Sequence, residues 1–132
     1  MRSDKKQQLA VRRHWRVRKK VSGTAACPRM SVRFSNQNIH VQFVDDTRGV
    51  TLAAVSTKGK SVPNRDTLGA NVKSAAVMGK LAAQAALDKG IKTVVFDRGS
   101  ARYHWSKGKD GKLVCGKLAT LAEAAREAGL KL

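Results

Sequence analysis

Acidic residues are scarce in this 132-residue chain: nine Asp and Glu stand against 27 Lys and Arg, a formal net charge of +18. So few carboxylates leave little material for acid–base or metal chemistry, and they cannot neutralise the molecule's own surface. Cysteine is nearly absent. Cys27 and Cys115 stand alone without a CxxC pair, which excludes a disulfide framework and a zinc ribbon and fits a reducing compartment. No apolar run approaches the roughly 18 residues that span a bilayer, and the N-terminus has neither the apolar stretch nor the small-residue cleavage site of a secretory signal. A cytoplasmic protein is expected. An organellar transit peptide fits less well, because the leader is Arg-rich and acid-poor but carries several Lys and few Ser. The length suits one domain and excludes a multidomain enzyme. At 42% the apolar fraction is too high for wholesale disorder.

What is present is concentrated charge. Residues 1–34 hold eleven Lys and Arg and a single acid, Asp4. Within them Arg12, Arg13, Arg16, Arg18, Lys19 and Lys20 crowd around His14 and Trp15, a density that repels itself unless a polyanion neutralises it. A phosphate backbone does this: with about six pairs formed, affinity falls with salt at a log–log slope of roughly −4 to −5. Trp15 adds a stacking surface. A merely solvated tail is the bland alternative. A membrane-surface helix is weaker still, since Leu9, Val11, Trp15 and Val17 form no wide apolar stripe. Ser22-Gly23-Thr24 ends any helix, and Pro28 extends Cys27. Residues 1–28 therefore read as a basic arm on a core of residues 29–132.

The core begins with period-two alternation. Met30, Val32 and Phe34, then Ile39, Val41 and Phe43, predict two half-buried strands joined by the turn Ser35-Asn36-Gln37-Asn38, with Arg33, His40 and Gln42 on the outward face. A turn at Asp45–Gly49 leads to a third strand, Val50–Ser56, and a polar loop follows from Lys58 to Asp66. Lys73, Lys80, Gln84 and Asp88 recur at helical spacing on an Ala/Val/Leu/Met surface, predicting a mostly buried helix over 67–89 that Gly90 and Ile91 close with a left-handed cap. Ile91–Phe96 reads as a strand, parallel to the meander because a helical crossover precedes it. Residues 101–115, with Asp110-Gly111 at the tip, predict a protruding β-hairpin, and Leu118, Leu121, Ala122 and Ala125 mark a last amphipathic helix closing at Gly129-Leu130. The expected fold is α/β: a mixed sheet, made of a three-stranded meander plus a parallel strand, with two packed helices and the basic N-terminal arm. No internal repeat or long low-complexity tract is evident.

Tests for chemistry return little. Gly111 to Lys117 fits GxxxxGK, but Leu118 follows where a P-loop needs Ser or Thr for Mg²⁺, and the interior Leu113-Val114-Cys115 is strand-like. Asp45, Asp46 and Asp97 fall near strand ends, where a two-metal nuclease places its carboxylates. Such residues more often cap turns or pair with neighbouring bases. His14, His40 and His104 are scattered, no spacing matches a zinc site, and neither cysteine has a nearby partner in sequence. No catalytic residue, metal, cofactor or small-molecule substrate is expected.

The segments RRHWRVRKKVSGTAACPRMSVRFSNQNI, DDTRGVTLAAVST, GKLAAQAALDKGIKTVVFDRG and KLATLAEAAREAGLKL resemble the bacterial large-subunit ribosomal protein L-eighteen family, over nearly the whole chain. KGIKTVVFDRG and LAEAAREAGLKL are the most specific. The resemblance implies a structural, non-enzymatic role: binding 5S rRNA and helping attach it to 23S rRNA in the central protuberance, beside the 5S-binding protein of the L-five family. Carried over by position, the family's basic arm falls on Arg12, Arg13, Arg16, Arg18, Lys19 and Lys20, and its sheet-face and turn contacts on Arg33, Ser35, Asn36 and His40. The family's DRGG and YHGR loop corresponds to Asp97-Arg98-Gly99, Tyr103-His104 and Gly116-Lys117. Residues 105–115 look inserted there, and Lys117 replaces the usual Arg; the basic tip of the insertion suggests an added rRNA contact. With Trp15, Arg29, Arg98, Tyr103, His104 and Lys117 these residues make up the expected RNA-binding set. RNA is recognised mainly through phosphates, 2′-hydroxyls, shape and unpaired bases, which asks for a cationic arm, mobile when free, and a polar sheet face. A general basic nucleic-acid coat and a small metal-dependent nuclease are the rival readings.

Overall fold

Side-chain alternation builds the sheet. In the computed structural model, which describes residues 1–132, β1 (Arg29–Phe34) buries Met30 and Val32, and β2 (Ile39–Asp45) buries Ile39, Val41 and Phe43 against the same core. They pair antiparallel with Arg33 opposite His40 and Ser31 opposite Gln42, so those four share the opposite face. The connecting turn is closed by Ser35, whose N–H donates to Asn38 O at 2.9 Å and whose Oγ accepts from Asn38 N at 3.0 Å. β3 (Val50–Ser56) adds the third strand after a turn in which Gly49 takes a φ of +66°, a conformation that favours glycine.

The long helix α2 (Val72–Asp88) starts later than the periodicity predicts. Asn71 caps it, its Oδ1 accepting from Ser74 N at 2.8 Å, while Ser74 Oγ accepts from Gly69 N at 3.0 Å; both hold residues 68–71 as an entry loop after a 3-10 turn at Arg65–Thr67. Its end is as expected: Gly90 has a φ of +77°, and Ile91 N donates to Ala86 O at 2.9 Å. The fourth strand is displaced from the expected 91–96. It is β4 (Val95–Asp97), parallel to β1, because Ile91 is held in the helix cap and residues 92–94 pair with the C-terminal tail: Val94 N donates to Lys131 O at 2.8 Å and Lys131 N to Lys92 O at 3.0 Å.

The sheet order is β3-β2-β1-β4, and the separate hairpin of β5 (Trp105–Lys107) and β6 (Leu113–Cys115) falls where the turn at Asp110-Gly111 predicts. α3 (Lys117–Glu127) then packs beside α2. The two cross at Gly79, where an added Cβ would lie 2.4 Å from Leu121 O. Met30, Ile39, Val41, Phe43, Met78, Leu121 and Leu130 form the centre of this two-layer core. The helices cover one face of the sheet and leave Ser31, Arg33, His40 and Gln42 on the other. No helix is long and apolar enough to cross a membrane.

Candidate nucleic-acid interface

The arm is helical. α1 (Ser3–Arg18) has sixteen residues, about 24 Å of helix, and buries none of them. Bases lie on nearly every side of it, which is why no apolar stripe exists to pack. An isolated helix of this length is marginal in water, so its mounting matters. That mounting is Asp46. Its carboxylate accepts from Gly23 N at 2.7 Å, from Arg29 Nε at 2.9 Å and Nη2 at 3.1 Å, and from Arg18 Nη1 at 3.3 Å. Arg29 Nη1 reaches on to Asp97 Oδ2 at 2.8 Å. One arginine thus joins the ends of β2 and β4, and one carboxylate joins them to the foot of the arm. The Arg29 guanidinium beside it, aided by Gly23 N–H and Arg18, holds the Asp46 carboxyl well below the usual carboxylate range, although burial opposes this. Asp46 in turn raises Arg29. Gly23 is glycine for a steric reason: a Cβ there would meet Arg29 N and Val44 O at 2.4 Å. The expected arm of residues 1–28 therefore divides into a projecting helix and a stretch from 19 to 28 stitched to the sheet.

Two grooves separate arm from core. One, of about 560 Å³, is lined by Ala10, Val11 and His14 of α1 and by Ser31, Arg33 and Arg98 among the core residues. The other, of about 610 Å³, has Arg16, Lys19, Lys20 and Arg98 around Phe96 and Tyr103. Arg98 belongs to both, its guanidinium steadied by donation to Ala101 O at 2.6 Å. Arg13 Nε donates to Ser100 O at 3.4 Å, bringing the helix to the loop after β4. Cationic walls with an aromatic floor suit a phosphate backbone and a base or sugar.

The remaining candidates are spread around this centre. Arg12, Trp15, Arg16, Lys19 and Lys20 are exposed, Trp15 at 63%. Arg33 is exposed on the open face; His40 beside it shares a 2.9 Å hydrogen bond with Ser56 Oγ. Ser35 and Asn36 stand at the turn tip, with the Ser35 hydroxyl engaged by Asn38. Lys117 Nζ sits 5.8 Å from the Phe34 ring centroid, and His104 packs its ring on Gly116. Tyr103 is partly structural: its ring meets Phe96 edge-on at 6.1 Å, and its hydroxyl donates to Glu123 and accepts from Arg126. Arg29 is already paired within the fold. Both ends of its guanidinium are occupied by Asp46 and Asp97, which makes it a bracket for the arm. The bracketing role of Asp46 had only a weak sign in the sequence, an acid in a basic chain.

The carboxylates of the nuclease rival are engaged elsewhere, save for Asp45 Oδ2, which is buried without a partner. Asp46 and Asp97 hold Arg29, and Asp97 Oδ1 also accepts from Gly99 N at 2.8 Å. Asp45 caps its turn, accepting from Thr47 N at 3.0 Å and from the Thr47 hydroxyl at 2.5 Å. No three His, Cys, Asp or Glu side chains gather where they could hold a metal ion. Gly111–Lys117 is a turn, strand β6 and a helix start, with no phosphate cradle.

Comparison with known proteins agrees with this geometry. A family model described as Ribosomal L18 of archaea, bacteria, mitochondria and chloroplast matches residues 4–132. The large ribosomal subunit protein uL18 of Ruminiclostridium cellulolyticum is 48% identical over 122 residues, covering 92% of this chain and 91% of that protein. Its counterpart in Exiguobacterium is 47% identical over 126 residues, 96% and 94% of the two chains. That of Crocosphaera subtropica is 44% identical over 131 residues, 99% of both.

Proposed function

Because this chain belongs to the uL18 family of large-subunit ribosomal proteins, we propose that its arm and the open face of its sheet hold 5S rRNA and help attach it to 23S rRNA. As a family member it is a structural, rRNA-binding constituent of the large ribosomal subunit and not an enzyme. The finer partners are our reading: 5S rRNA gripped by the arm and sheet, 23S rRNA beyond it, the L-five-family protein alongside, and the cytoplasmic ribosome as the setting.

The observation that carries this reading is the pairing state of the arm. None of Arg12, Arg16, Lys19 or Lys20 has a carboxylate partner, while Arg18 and Arg29 are held by Asp46. The free cations face outward and the paired ones fix the mounting. Arg12, Arg13, Trp15, Arg16, Lys19 and Lys20 then contact RNA, with Arg33, Asn36, His40, Arg98, His104 and Lys117 completing the surface and Arg29, Ser35 and Tyr103 shaping it. The helix is held firmly at its foot and touches the core further along only through Arg13 and Ser100, which leaves its outward cations open to RNA.

A chain lacking residues 1–28 should lose most of its affinity for 5S rRNA; equal binding by the truncated and full-length proteins would remove the arm from the interface. A general basic coat predicts equal affinity for duplex DNA, transfer RNA and 5S rRNA at matched salt. Preference for 5S rRNA at physiological ionic strength is the result expected here.

A further inference from the structure

The β5–β6 hairpin is not explained by the arm and sheet face. It forms a two-stranded sheet of its own, and no strand residue in it is buried. Trp105 is 48% exposed, Leu113 67% and Val114 47%. Its register sets Trp105 opposite Cys115 and Lys107 opposite Leu113 on one face, with Ser106 and Val114 on the other. A lone two-stranded hairpin is marginal in water, so one that keeps a tryptophan in solvent is suited to completion by a partner.

The charge indicates which partner. Lys107, Lys109 and Lys112 surround the tip with only Asp110 against them, and none of the three has a carboxylate partner. A protein partner fits poorly. Lysine is depleted in protein interfaces, and three partly exposed apolar side chains fall well short of the roughly 800 Å² per partner that a stable one buries. An aromatic face beside lysines instead matches a base stack flanked by phosphates. The hairpin is also tied to the arm's side of the molecule. Its base is closed by Gly116 N donating to His104 O at 3.0 Å, and the loop leading into it meets α1 through Arg13 and Ser100.

Resting on the RNA-binding reading above, we propose that the 105–115 hairpin is a second grip on the same 5S rRNA that the arm holds. Trp105 stacks on an unpaired base, and Lys107, Lys109 and Lys112 hold the phosphates beside it.

The test uses the full-length protein and 5S rRNA. Trp105→Ala should weaken binding roughly tenfold. The triple variant Lys107→Ala, Lys109→Ala, Lys112→Ala should make the salt slope shallower by about 2 to 3. In a Trp15→Phe background, the fluorescence of Trp105 should be quenched as RNA is added. Because the hairpin buries no strand side chain, circular dichroism and melting temperature of these variants should match the parent. Wild-type affinity and slope in both variants, with unquenched Trp105, would overturn the proposal. So would loss of self-association or of binding to the L-five-family protein with RNA binding intact, which would make the hairpin a protein interface. Failure of the parent protein to bind 5S rRNA is a separate result, against the reading on which the proposal rests.

Discussion

Asp46 accepts from three separate stretches of chain, at Arg18, Gly23 and Arg29, with its side chain only 18% exposed. Removing its charge leaves Arg29 with Asp97 alone and releases the foot of α1. Asp46→Asn should therefore cost about 2 to 3 kcal/mol at neutral pH, between the value of a charged hydrogen bond and that of a broken buried pair. The sign of the pH dependence follows from the depressed carboxyl. A group whose folded-state value lies below its unfolded value of about 4 stabilises the fold above that pH, and the contribution fades as pH falls toward the folded value. Melting curves of parent and variant should differ at pH 7 and converge between about pH 4 and the acid limit. A difference that stayed constant down to pH 3 would mean that the carboxylate charge is not what secures the arm.

Among the elements, those with local causes were legible. Alternation at Met30-Val32-Phe34 and Ile39-Val41-Phe43 with polar turn residues between sets the register of β1 and β2, and Gly90-Ile91 sets the end of α2. Features decided by distant residues were not. Whether residues 92–94 belong to a strand depends on Lys131, nearly forty positions away, and the start of α2 depends on an Asn71–Ser74 cap that hydrophobic spacing does not register. The same holds at the interface: the cationic arm is plain from composition, whereas the pairing of Arg29 with two carboxylates is a tertiary fact. Gly79 is another. In sequence it is a glycine inside a helix, a mild weakness; in the fold it is the contact at which α2 meets α3. Gly79→Ala should gain helix propensity yet lose about 2 to 3 kcal/mol overall, because the new methyl group must displace the Leu121 carbonyl. A rise in melting temperature would show that the helices can part at no cost.

At the scale of the whole molecule, a net charge of +18 makes salt act in opposite directions on the free and the bound protein. Free, the cations of α1 repel one another across a helix with nothing buried, so added KCl screens the repulsion and favours the compact state. The Arg29 bracket, being mostly out of solvent, is screened less. Bound, the same cations have displaced condensed counterions, and added salt reduces the entropy gained by that release, so the complex weakens. Raising KCl from 0.1 to 0.3 M should weaken 5S rRNA binding by about a hundredfold, given a slope of roughly −4 to −5 for six arm contacts. The melting temperature of the free protein should rise over the same range. Deleting residues 1–28 should flatten both dependences together, since one cluster of charge causes both. If truncation flattened the binding slope but left the stability of the free protein equally salt-sensitive, the self-repulsion would reside in the core, and the arm would act in binding alone.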